Sequence, residues 1–105
     1  MATSARIPPV YFVVSHTPGP AWKAGLPFRQ QPGIMEHVRY YQVLHDGGRV
    51  IMGGPFLDDS GGMMVLAVGS EDDARRMAGD DPAVRSGLLT VVVHPWMASF
   101  SPAKQ

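Results

Sequence analysis

A chain of 105 residues, 45% of them hydrophobic and 17% charged, is long enough for one compact domain and too short for two. Its 9 Lys and Arg balance 9 Asp and Glu, and a formal net charge of +0 offers no general attraction to a phosphate backbone or an anionic membrane, so neither nucleic acid nor membrane is expected as a partner. The lack of cysteine excludes disulfides, thiolate nucleophiles and thiolate zinc sites together.

The opening residues, Met1 to Arg6, lead through Ile7-Pro8-Pro9 with no uninterrupted apolar region of signal-peptide or membrane-spanning type. A soluble, cytoplasmic protein is expected. Val10-Tyr11-Phe12-Val13-Val14 is β-branched and aromatic, which predicts a first strand, central in its sheet because both faces are apolar. The stretch 17–33 carries Pro18, Gly19, Pro20, Gly25, Pro27, Pro32 and Gly33 and reads as a long loop, mobile or functional.

From Ile34 the apolar positions Ile34, Val38, Tyr41 and Leu44 recur at helical spacing until Gly47-Gly48, and His37 falls on that same inward face. Val50-Ile51-Met52 predicts a second strand ending at Gly53-Gly54-Pro55. The turn-rich segment Asp58 to Gly62 leads into a third strand, Met63 to Val68, making a hairpin. Ser70-Glu71-Asp72-Asp73 has the form of a capping box with Asp in its last place, and it opens a second helix that runs through Met77 and ends near Asp81-Pro82. Leu88 to Val93 is the last strand, stopped by Pro95, and the tail from Ser99 to Gln105 reads as frayed.

This order is β-α-β-β-α-β, an α+β, ferredoxin-like arrangement in which two helices cover one face of a four-stranded antiparallel sheet. One domain is expected over 1–105, with its core at about 7–97. The strands are apolar on both faces and no sequence is left to cover the second, so a homodimer packed sheet to sheet is expected.

Six local features then carry a resemblance. They are His37-x-x-Tyr40-x-x-x-Leu44, the Gly53-Gly54-Pro55 strand end, the Asp58 to Gly62 turn, the Ser70-Glu71-Asp72-Asp73-Ala74 helix start, the Asp81-Pro82 step and the closing Val93-His94-Pro95-Trp96. In this order the chain resembles the YciI-like (YCII-related) family of dimeric α+β barrels, similar to muconolactone isomerases. The loop 17–33 is longer than the family's minimal pattern. The resemblance implies an active site pairing a helix histidine with the aspartate of the Asp-Pro step, here His37 and Asp81. One branch of the family eliminates chloride from a chlorinated hydroxyhydroquinone, and most members have no assigned substrate.

Residue chemistry is consistent with that implication. Imidazole, with an intrinsic pKa of about 6.5, can take and return a proton near neutral pH, and a carboxylate on one ring nitrogen fixes the tautomer and frees the other. The plainer alternatives are a satisfied core histidine and an aspartate that caps backbone N–H groups beside Pro82. Gly54 and Pro55 would let a ligand approach a strand end, or would simply bend the hairpin. Asp58 and Asp59 offer acceptors for ligand hydroxyls, although paired acids before Ser-Gly-Gly usually form a solvated turn. Trp22, Phe28 and Arg29 could close over a small anionic or phenolic substrate, or anchor the loop to a neighbouring protomer.

His16, His45 and His94 fall on different elements with no His-x-x-x-His pair, so no metal site is expected. With no nucleotide or flavin fingerprint, no cofactor is expected either. The expected function is a small cofactor-independent enzyme using His37 and Asp81 for elimination, isomerisation or hydrolysis of a small oxygenated or aromatic metabolite. The alternative is a ligand-binding or assembly module of the same fold.

Overall fold

A computed structural model describes residues 8–102. The opening segment Met1 to Ile7 and the end of the tail, 103–105, lie outside the described residues. The strands are β1 (Val10–Pro18), β2 (Val50–Pro55), β3 (Gly62–Leu66) and β4 (Leu89–Met97), and the helices are α1 (Ile34–Asp46), α2 (Glu71–Gly79) and the short α3 (Pro82–Arg85). The sheet is antiparallel in the order β2-β3-β1-β4, with β1 central as its two apolar faces require. Among the described residues no helix is long and apolar enough to cross a membrane.

Alternation along β1 decides which side chains meet the helices. Phe12, Val14 and His16 are buried while Tyr11, Val13 and Ser15 are half-buried on the opposite face. Phe12 and Val14 join Leu66, Val50 and Val93 from the sheet, Tyr41 and Leu44 from α1, and Ala74 and Ala78 from α2 in the main core. The two alanines let α2 lie close to the sheet. Ser70 caps α2, its hydroxyl accepting from Asp73 N at 3.1 Å, and the Tyr40 hydroxyl ties α1 to α2 by donating to the Met77 carbonyl at 2.8 Å.

Several boundaries differ from the expected ones. β1 continues through Thr17 and Pro18, and β2 continues through Gly53-Gly54-Pro55 with a register shift between Val50 and Met52. The third strand stops at Leu66 rather than Val68. β4 runs past Pro95 to Met97, because β4 is an edge strand and a proline there removes no N–H that the ladder requires. Pro82 was expected only to end a helix, but it also begins α3, standing at the first helical position where its missing N–H costs nothing. Val38 is exposed rather than buried, since the inward stripe of α1 is Ile34, His37, Tyr41 and Leu44.

The loop after β1 is closed by its own hydrogen bonds. Buried Gln31 donates from Nε2 to the carbonyls of Lys23 (2.8 Å) and Leu26 (2.7 Å) and accepts from Lys23 N at 2.9 Å. It therefore satisfies three backbone groups that no helix or strand would serve. A 3-10 turn at Phe28–Gln30 then sets Phe28 into a second core cluster with Ile34, Ala83, Leu88 and Leu89.

Candidate active site

The helical stripe that buries Tyr41 and Leu44 buries His37 as well, at 4% exposure. Opposite it stands Asp81, fully buried, whose two carboxylate oxygens have separate tasks. Oδ1 accepts from Ala83 N at 2.9 Å and caps α3, while Oδ2 lies 2.6 Å from His37 Nδ1. The capping and pairing readings of this aspartate thus hold together. A carboxylate is an acceptor only, so the contact places a proton on Nδ1 and leaves Nε2 as the ring's free nitrogen. Because the α3 cap fixes the carboxylate, the ring orientation is set by backbone.

A third group stands beside this pair. The alternation of β1 turns His16 inward, 2% exposed, with Nε2 3.7 Å from Asp81 Oδ2, too far for a hydrogen bond. Its ring meets those of His37 and Tyr41 edge to face, with centroids 5.0 and 5.5 Å apart. Burial first, and then the neighbouring His37, push the His16 pKa down to about 4 against the opposing pull of Asp81, so His16 is neutral at neutral pH. Burial and the Asp81 charge raise the Tyr41 phenol, which stays a proton donor and does not become a base. His16 Nε2 and the Tyr41 hydroxyl are both buried without a hydrogen-bond partner. Leaving each unpaired costs about 1–3 kcal/mol, a cost that a bound group could relieve.

A cavity of about 330 Å³ opens between α1 and the β2–β3 hairpin, lined by His16, His37, Tyr41 and Phe28 on one side and by Gly53, Gly54, Pro55, Met63 and Met64 on the other. The two glycines differ in role. A Cβ on Gly53 would run into the Met64 side chain and lie 2.8 Å from the Met63 carbonyl oxygen, whereas one on Gly54 would meet nothing. Gly53 is required by strand packing and Gly54 keeps the cavity wall clear.

Of the residues singled out from sequence, His37, Asp81, Gly54 and Pro55 converge here, Asp81 from behind His37. Trp22, Arg29 and Asp58 are not among the cavity-lining residues. Trp22 packs on Phe28, with ring centroids 5.9 Å apart, and supports the wall from outside. Arg29 is exposed, and Asp58 is exposed and accepts from the backbone and hydroxyl of Ser60 within its own turn. Asp59 ties that turn to the long loop by accepting from Phe28 N at 3.1 Å. His16 and Tyr41 were not among the expected site residues, although the period of β1 places His16 in line with Phe12 and Val14.

Comparison with solved structures finds the same fold in the 5-chloro-2-hydroxyhydroquinone dehydrochlorinase of Burkholderia phenoliruptrix AC1100, solved in complex with 2,5-dihydroxybenzoquinone, at a TM-score of 0.64 and 20% identity over 82% of this chain and 92% of that one. No curated protein sequence matches the chain. The YCII-related domain matches residues 12–97, from the third residue of the central strand to the end of β4, and by that match the chain belongs to the YCII-related family.

Proposed function

We propose that the protein is a small enzyme in which His37 acts as general acid and base, oriented by Asp81, on a small oxygenated or aromatic metabolite, without a cofactor. The observation that carries this reading is the 2.6 Å contact between His37 Nδ1 and Asp81 Oδ2, buried in the wall of a cavity of about 330 Å³. That volume suits a single-ring molecule at the small end of ligand pockets. His37 Nε2 would remove a proton from carbon or oxygen and return it to the product, giving isomerisation, or elimination where a leaving group is present; hydrolysis would use the same nitrogen to activate water. The Tyr41 hydroxyl would donate to an oxygen on which negative charge develops. The dehydrochlorinase of the same fold supports elimination from an oxygenated ring as the first reaction to try.

Purified protein offered hydroxyhydroquinones with and without a chlorine substituent, and small lactones, is expected to consume at least one of them, followed by chromatography and by chloride release. Tight binding across this panel with no product formed would instead identify a ligand-binding module and overturn the enzymatic reading.

The homodimer belongs to the same proposal. The face of the sheet away from the helices carries Val92 and Trp96 of β4 and Met52 of β2, all more than two-fifths exposed, beside Tyr11 and Val13. A self-complementary copy of this face is the simplest cover for such a patch. Light scattering at micromolar concentration is expected to give twice the chain mass, and Trp96→Glu to give the single-chain mass; a wild-type monomer would remove the dimer.

A further inference from the structure

We propose that His16, His37 and Asp81 together bind a divalent transition cation of the zinc type, a site that lies beyond the acid–base reading and competes with it. The three residues come from three rigid places, namely β1, α1 and the cap of α3, and all are buried. One ligand atom from each lies within 4.8 Å of the other two. Zinc-type bonds of about 2.0–2.1 Å in a tetrahedron set ligand atoms about 3.3 Å apart. The observed His37–Asp81 and His16–Asp81 separations, 2.6 and 3.7 Å, lie on either side of that value. Small side-chain rotations that open the first and close the second would therefore admit an ion.

Four further observations point the same way. His16 Nε2 is buried and without a hydrogen-bond partner, so its lone pair is open to a metal. Among the described residues the Asp81 carboxylate has no Lys or Arg partner, and its only ion-pair neighbours are the two imidazoles, so a cation would meet an otherwise uncompensated negative charge. Its other oxygen is held by Ala83 N, the kind of outer contact that orients a metal-binding carboxylate. His16 and His37 both border the cavity, which gives the ion a way in and leaves its fourth position to water or a small ligand. Two imidazoles with one carboxylate select zinc, cobalt or nickel over magnesium or calcium.

Bound there, the ion would take the His37 nitrogen and the Asp81 oxygen that otherwise share a proton; that proton would move to His37 Nε2, which blocks the acid–base pair. The test is titration of the metal-free full chain with Co2+, read by the visible absorption of tetrahedral cobalt and by calorimetry. One ion per chain is expected, with apparent affinity at least about a hundredfold weaker in His16→Gln. A His45→Gln, His94→Gln double variant is expected to bind as the wild type does. Failure to saturate, undiminished uptake by His16→Gln, or loss of uptake in the double variant would each overturn the proposal. Should His16→Gln fail to fold, Zn2+ added to the wild type labelled with 15N at histidine decides instead: shifts of the His16 and His37 ring nitrogens support the site, and shifts confined to His45 and His94 overturn it. These are readouts of binding, so they stand apart from whether any substrate is turned over.

Discussion

Asp81→Asn is expected to lower kcat by about 10²–10⁴-fold with little change in KM or in the fold, the range that general acid–base catalysis and its tautomer control contribute. The reason lies in the two oxygens of Asp81. An asparagine can still accept from Ala83 N with its carbonyl and so keep α3 capped, but its NH2 then faces His37 Nδ1. To accept that hydrogen the imidazole must move its proton to Nε2, the nitrogen that is to act as base. Geometry survives and the base is lost. His37→Asn should cost as much, and the double variant little more than the worse single, because the two residues act as one unit. Steady-state kinetics on a substrate identified by turnover, with circular dichroism to confirm folding, provide the check; rates within a few-fold of wild type in Asp81→Asn would remove the dyad.

The second large effect concerns stability. In the unfolded chain His16 takes up a proton at its ordinary value of 6.5, whereas in the fold it does so only at about 4. Between these values the unfolded state holds more protons than the native state, so stability falls as pH falls through that window and is unaffected by this group above it. The full difference corresponds to about 3 kcal/mol at pH 4 and below. Urea unfolding from pH 7.5 to pH 4, with chelator present, should therefore show wild type losing about 3 kcal/mol more than His16→Phe over the range. The comparison matters because His37 and Asp81 face the same ring and Tyr41 packs beside it. Parallel curves for the two proteins would show that His16 is not held neutral by the fold.

Most of the architecture was legible because apolar periods and turn residues agree along the chain: Ser70 does cap a helix, Gly47 does end one, and the hairpin between β2 and β3 falls where the Asp58 to Gly62 cluster lies. Misses arose where a local rule depends on position in the sheet or on length. Pro95 interrupts a central strand but not an edge, and four residues are too few for α3 to show a period. The pairing of His37 with Asp81 spans 44 positions and no local pattern contains it; the resemblance carried by the Asp-Pro step suggested it. His16 lies beyond the β-branched and aromatic run, which ends at Val14 although the strand continues to Pro18. Two more residues of alternation bring the histidine inward.

The Gln31 side chain makes the long loop mechanically independent of what its surface residues are. Since Lys23, Leu26 and Gln31 close the loop on themselves, and Phe28 N is separately held by Asp59, the aromatic ring at the cavity wall is positioned by backbone contacts. Exposed positions such as Arg29 and Gln30 carry none of that load. This segment can therefore accumulate substitutions at its exposed positions while Phe28 keeps its place in the cavity wall. The His37–Asp81 geometry and the surface of this loop are thus free to change separately, with one glutamine as the joint between them.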